Sequence, residues 1–278
     1  MADFSQFLLV SDYDHTLTDH ESRVPQKNLD AISYFIASGG TFTICTGRSL
    51  PASRKTFEGI PMNAPLLFCN GAACYDLRTE ELVFCHPLPE DSVSFMQKCE
   101  QTYTDLRLEV HCLDKHYVFH PDAYRDAVLR RQQANFVHAT WDMVPHPRIK
   151  FSLYNWNAST AAVDPNSEQG RYFRRVTDEV NALGQGRYTA INSLPGLVEV
   201  QIAGTSKGLA ARELANRLGG KTLVCVGDAP NDITMLQEAD LPFYVSDGDV
   251  RMTAYNFPQC APSYEGAVAD VIRKLEQL

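Results

Sequence analysis

Short apolar runs, each followed by a helical pattern, mark both ends of the chain. FLLVSD (7–12) reads as a buried strand. Over 25–38 the apolar residues Leu29, Ile32, Phe35 and Ile36 share one side of a helix that Gly39 and Gly40 end. TFTICTG (41–47) is a second strand, 49–58 a short helix and LLFCNG (66–71) a third strand. The rhythm returns late in the sequence. LVEVQI (197–202) is strand-like, and 206–218 is helical, with Ala210, Leu214 and Leu218 spaced by four before Gly219 and Gly220. TLVCVG (222–227) is another buried strand, followed by a helix over 232–239, a strand FYVS (243–246) and a final helix over 265–277. Strand–helix–strand units at this spacing need right-handed crossovers and build a parallel sheet.

The middle of the chain is patterned differently. Strands at 107–112, 115–119, 149–154 and 187–192 are interspersed with helices near 89–104, 121–135 and 168–183. LEVHCLDKHYVFH reads as a hairpin turning at Asp114 and Lys115. Apolar and polar residues interleave there, as in an antiparallel sheet with one solvated face. The expected architecture is α/β: a Rossmann-like, doubly wound parallel-sheet core from residues 1–82 and 191–278, with an inserted α+β domain at 83–190.

A chain of 278 residues has room for two such domains. With 44% apolar and 21% charged residues, disorder, collagen-like repeats and coiled coil are poor readings. The net charge of −9 makes a poor electrostatic partner for nucleic acid or an anionic membrane. An acidic protein that handles anions must concentrate positive charge locally, often as a metal. No apolar run reaches the roughly 18 residues of a membrane span, and no basic segment precedes the short run at 7–10, which argues against a secretory signal. The eight cysteines include no C-x-x-C pair, and Cys45, Cys69 and Cys225 lie inside strand-like runs as small hydrophobes. A reducing cytoplasm is the expected location. Nothing in the sequence sets an oligomeric state.

Polar residues gather at the predicted strand ends. Asp12-Tyr13-Asp14-His15-Thr16 directly follows the first strand. In an open parallel sheet, ligands bind outside the carboxyl ends of the strands, and carboxylates at i and i+2 can share that crevice. The second strand ends in Thr46-Gly47-Arg48, which offers a hydroxyl and loop N–H donors. Lys207 opens the helix after 197–202, and Gly227-Asp228-Ala229-Pro230-Asn231-Asp232 adds two carboxylates and an amide at a further strand end. Singly, each has an ordinary explanation as a turn, a cap or a solvated lysine. Four together at one sheet edge point to a site.

Phosphoryl transfer suits this set. A carboxylate approaching a phosphate meets repulsion of about 4 kcal/mol per pair of unit charges at roughly 4 Å and an effective dielectric of about 20. Oxygen ligands from Asp12 and Asp228, with a backbone carbonyl, suit Mg²⁺, which bridges carboxylate to phosphate. Lys207 adds positive charge, and Thr46 and loop amides add hydrogen bonds.

D-x-D-x-T after strand one, T-G-R after strand two, a helix-opening lysine and G-D-x-x-N-D together resemble the haloacid dehalogenase superfamily over the whole chain. NGA (70–72), SKG (206–208), GDAPNDITML (227–236) and YEGAV (264–268) look like its Cof-type phosphatases, whose C2B cap falls where the insert lies. The resemblance implies a Mg²⁺-dependent phosphatase of small phosphorylated metabolites, such as sugar phosphates or phosphorylated cofactors. It implies Asp12 as the nucleophile that becomes an aspartyl-phosphate, and Asp14 as general acid and then base. It implies metal ligation by Asp12, the Asp14 carbonyl and Asp228, with Asp232 as a further or water-mediated partner. Thr46, Gly47, Lys207 and Asn231 would hold the phosphoryl group, and Asn70 would steady the site. Arg48 fits a place near substrate and a structural surface role equally well. A phosphomutase or phosphotransferase on the same fold, and a catalytically silent regulatory homologue, are the alternatives.

One departure from the family pattern stands out: His15 occupies a position where the family usually has glycine. It is either a tolerated side chain or one that reaches toward the leaving group. The remaining histidines fall mostly in the middle region. His116 and His120 have i, i+4 spacing, but 115–119 reads as strand and no H-E-x-x-H occurs, which argues against zinc. His120, Trp141 and Tyr154 are candidate substrate selectors.

Overall fold

The computed structural model describes residues 2–155, 167–194 and 196–278. The chain divides into two compact units, one of Met1–Gly47, Glu58–Phe84 and Ser206–Leu278, the other of Arg48–Phe57 and Cys85–Thr205.

The first unit is built on a five-stranded, wholly parallel sheet. In spatial order its strands are Gln259–Cys260, Leu241–Val245, Thr222–Gly227, Phe7–Ser11 and Thr41–Ile44. The first strand lies inside, and the chain winds from it to 41–44 on one side and 222–227 on the other. This reversal of winding is the switch point at which such sheets open a crevice. Leu66–Phe68 joins the 41–44 side through one parallel bridge, Cys45 to Leu67, and pairs antiparallel with Ala73–Asp76. Ala73–Asp76 and Glu81–Cys85 complete a three-stranded ribbon that the apolar pattern did not predict. Leu8, Val10, Leu223 and Cys225 from the sheet pack against Ala211, Leu214, Met235 and Leu236 from the helices Lys207–Arg217 and Ile233–Glu238, all buried. Leaving the apolar core, each strand reaches its polar end at the same edge. In the register that pairs Ser11 with Val226, Asp12 and Asp228 emerge beside one another.

The second unit holds a six-stranded sheet in the order Tyr188–Leu194, Leu197–Ile202, Arg148–Tyr154, Arg107–Cys112, His116–Val118 and Phe136–His138. The 107–112 and 116–118 strands form the expected hairpin, but 136–138 joins it in parallel. The apolar face, with Leu108, Val110, Phe151, Leu153, Val198 and Val200, packs against Met96 and Cys99 of Ser92–Thr102 and Phe173, Val176 and Val180 of Glu168–Leu183.

Three expectations are corrected here. Residues 191–205 belong to the second unit, because Leu197–Ile202 pairs antiparallel with both 148–154 and 188–194. Its alternation of buried valines with Glu199 and Gln201 marks a one-faced antiparallel strand. The strand-then-helix order at 197–218 imitates a parallel crossover. Residues 48–57 also belong to the second unit, where Ala52 of Leu50–Ser53 packs on Val118 and Leu129. The polar face of the sheet is not solvated either. Glu109, Lys150, Glu199 and Gln201 are all buried. Their charges are matched there, Lys150 on Glu199 and Arg125 on Glu109.

All eight cysteines are free thiols. Among the described residues no helix is long and apolar enough to cross a membrane.

Candidate active site

Asp12 leaves the first strand in an extended conformation (φ −63°, ψ 162°), its N–H donating to the Val226 carbonyl at 2.9 Å. The chain then makes a wide turn over Tyr13–Leu17. Thr18 closes it, its N–H on the Tyr13 carbonyl at 3.0 Å and its hydroxyl accepting from the His15 N–H at 3.2 Å. Asp14 is half-buried within the turn. His15 has φ +60° and ψ 8°, the left-handed conformation that glycine adopts most easily. The chain therefore holds a side chain on a backbone shape that glycine adopts at least cost. Thr16 donates its hydroxyl to Asp228 Oδ1 at 2.7 Å.

Lys207 opens its helix with a fully buried side chain. Its Nζ lies 2.6 Å from Asp12 Oδ1 and 2.6 Å from Asp232 Oδ1. The Ser206 hydroxyl caps the helix by accepting from the Leu209 N–H. Gly208 permits the approach: a Cβ there would lie 2.1 Å from the Thr234 carbonyl oxygen. Asp232 is fixed on its other side, where Oδ2 accepts from the N–H groups of Asp228 and Ala229 at 3.0 and 3.1 Å.

A third link ties in the loop after the second strand. Thr46 is buried, its N–H donating to the Leu67 carbonyl and its own carbonyl accepting from the Asn70 N–H at 3.0 Å. The Asn70 side-chain oxygen accepts from Asn231 Nδ2 at 3.3 Å. Asn70 thus joins the loop of Thr46 and Gly47 to the turn of Asn231. The structure therefore brings Asp12, Lys207, Asp228 and Asp232 into one cluster, with Thr46 and Asn231 connected through Asn70.

The electrostatics of the cluster are unbalanced. Carboxylate oxygens of Asp12, Asp228 and Asp232 lie within 4.8 Å of one another, and one lysine faces them. Burial, with the Asp232 charge beside it, raises Asp12 to about 7 in spite of Lys207. Burial and the neighbouring Asp12 and Asp232 also hold Asp228 well above the usual carboxylate range. Burial opposes the charge on Lys207, but Asp12 and Asp232 outweigh it and keep the ammonium firmly protonated. Two strained carboxyls with only oxygen donors between them suit a hard divalent cation, whose charge relieves both.

The profile of the haloacid dehalogenase-like hydrolases matches residues 9–272, and so spans every one of these groups. The chain belongs to that family. It is 24% identical to YxeH of Bacillus subtilis (strain 168), over 96% of this chain and 97% of that one. It is 25% identical to the 5-amino-6-(5-phospho-D-ribitylamino)uracil phosphatase YcsE of the same organism, over 84% and 81% of the two chains. A haloacid dehalogenase-like hydrolase from Bacteroides thetaiotaomicron has the same fold, with a TM-score of 0.80 over 96% of this chain and 98% of that one at 18% identity.

Two features of this family member escaped sequence reasoning. Thr16 supports Asp228, and only its place in D-x-D-x-T hinted at a role. In the second unit Glu109, His111 and His116 also bring ligand atoms within 4.8 Å. His111 and His116 face each other across the hairpin, a pairing that the predicted turn implies. This second cluster does not fit a cation. Arg125 already grips both Glu109 oxygens, at 2.7 and 2.8 Å, and His116 also bonds to Glu109. The opposite ring nitrogen of His116 lies 2.5 Å from the Ser49 hydroxyl. His120 and Trp141 meet instead at Glu100, on its two oxygens at 2.7 and 2.9 Å.

Proposed function

We propose that this protein is a Mg²⁺-dependent phosphatase that hydrolyses small phosphorylated metabolites through an aspartyl-phosphate on Asp12. The supporting observation is the Lys207 ammonium held between Asp12 and Asp232, with Asp228 alongside, at the carboxyl edge of a parallel sheet.

Asp12 would attack the phosphorus in line while Lys207 neutralises charge on the transferring oxygens. Asp14 would protonate the leaving oxygen and then take a proton from the water that attacks the phosphoenzyme. Thr46, the Gly47 N–H and Asn231 would hold the remaining phosphoryl oxygens, with Asn70 fixing their spacing. Asp12, the Asp14 carbonyl and Asp228 would ligate Mg²⁺. Asp232, both of whose oxygens already accept hydrogen bonds, would act through water. The ion, when bound, screens the repulsion between carboxylate and phosphate. The second unit would serve as the cap that selects substrates.

The test is phosphate release, with Mg²⁺, from a panel of sugar phosphates, phosphorylated cofactors and the ribitylaminouracil phosphate that YcsE is named for. Release that EDTA abolishes, and that Asp12→Asn lacks, supports the reading. Isomerised phosphosugar without free phosphate would identify a mutase. A folded protein that acts on nothing would identify a silent homologue.

A further inference from the structure

The chemistry above leaves the one exposed side chain of the Asp12 turn unused. His15 sits in a left-handed conformation that disfavours any residue bearing a Cβ. Its ring is exposed and packs on His20, with centroids 5.5 Å apart and planes inclined by 40°. His20 is itself anchored, with Nε2 3.1 Å from Asp247 Oδ2 and its ring 6.5 Å from that of Tyr264. Asp247 is fixed by the Ser263 N–H and hydroxyl, both at 2.8 Å. A row of three rings, Tyr264, His20 and His15, therefore adjoins the turn that carries Asp14, secured through Asp247.

We propose that His15 is a substrate-selecting residue, which offers its imidazole ring to the leaving group and favours esters whose leaving group contains a planar aromatic ring over polyol phosphates. The proposal rests on the phosphatase reading and deepens it. A general acid must come within hydrogen-bond reach of the leaving oxygen. The alcohol therefore stands beside Asp14, within a side chain's length of the next residue, His15. The His15 ring leans on His20 at 40° and is otherwise exposed, and an anchored neighbour limits the directions in which it can turn toward a ligand. Backbone strain of this kind persists where the surroundings impose it, and it gathers at functional sites.

The experiment compares wild type, His15→Gly and His15→Phe on pyridoxine 5′-phosphate, 4-nitrophenyl phosphate, glycerol phosphate and glucose 6-phosphate with Mg²⁺. In His15→Gly, KM for the two aromatic esters should rise about three- to tenfold, the worth of one aromatic contact. The two polyol esters should keep KM and kcat within about twofold. His15→Phe restores the ring and should restore low KM for the aromatic pair. A ratio of aromatic to polyol KM that is the same in wild type and His15→Gly overturns the proposal. Should the wild type release phosphate from none of them, the phosphatase reading fails separately. Calorimetric dissociation constants for pyridoxine 5′-phosphate and glycerol phosphate then decide the selectivity, and equal values in wild type and His15→Gly reject it.

Discussion

Lys207 Nζ donates to Asp12 Oδ1 at 2.6 Å, with the lysine side chain wholly out of solvent. A cation so placed offsets carboxylates that would otherwise repel one another in a medium that solvates them poorly. Replacing it by Met should lower phosphate release by a factor of about 10² to 10³. Removing one partner of a buried ionic set also costs about 3–5 kcal/mol of stability. Phosphate assays and urea denaturation read the two effects. A variant as active as wild type would remove Lys207 from the chemistry.

Asp12→Asn separates function from stability. A carboxyl whose folded pKa is raised from 3.8 to about 7 contributes stability below 3.8 that is lost as pH rises through about 7. In metal-free protein the Asn variant should therefore be inactive yet more stable at pH 8, by on the order of 1–3 kcal/mol, with a smaller gain at pH 5. Mg²⁺ should narrow the gap by stabilising wild type alone. Thermal melts with EDTA at the two pH values check the sign, and a variant less stable at pH 8 would contradict it.

The second unit should respond to acid in the opposite sense. Burial, reinforced by His116 and Lys150, holds His111 well below the usual histidine range. Burial opposes charge on Glu109, but Arg125 and His116 prevail and hold its carboxyl well below its usual value. As pH falls below about 6.5, the unfolded chain protonates His111 while the folded chain does not; below about 4.5 the same holds for Glu109. Both contributions therefore shrink with acidification. His111→Gln, which cannot take a proton, should lose less stability than wild type between pH 7.5 and 5.5. Parallel urea midpoints for the two proteins would refute this.

Thr16→Val removes the hydroxyl that orients Asp228. The Mg²⁺ concentration for half-maximal activity should rise about 10- to 100-fold, with kcat at saturating metal much less affected. A metal titration of activity shows the shift, and an unchanged midpoint would leave Thr16 a purely structural residue.

The parallel core was legible because its inner strands, Phe7–Ser11 and Thr222–Gly227, are nearly unbroken apolar runs, so the polar residues that follow them mark a single edge. Asp12, Asp228 and Asp232 could be placed on that edge by strand order alone, whereas Lys207 was placed there through 197–202, a strand that lies in the other sheet. The links between them could not. Thr16 to Asp228 and Asn70 to Asn231 join segments far apart in the chain, and no local pattern encodes such a pairing. At 197–202 local order misled, since a strand followed by a helix has the same form in a parallel crossover as at the end of an antiparallel sheet. The alternation of Val198 and Val200 with Glu199 and Gln201 held the correct reading. Buried charge on the face of Glu109 and Lys150 was hidden for a related reason: alternation tells which residues share a side, and partners elsewhere decide whether water reaches it.

The bond between Thr16 and Asp228 spans 212 positions, and it sets an order of events during synthesis. The strand that ends in Asp12 leaves the ribosome well before its neighbour at 222–227. The stretch Cys85–Thr205, nearly the whole of the second unit, emerges between them. The nascent protein therefore holds Asp12 without the partners of its cluster until the chain has been made through Asp232.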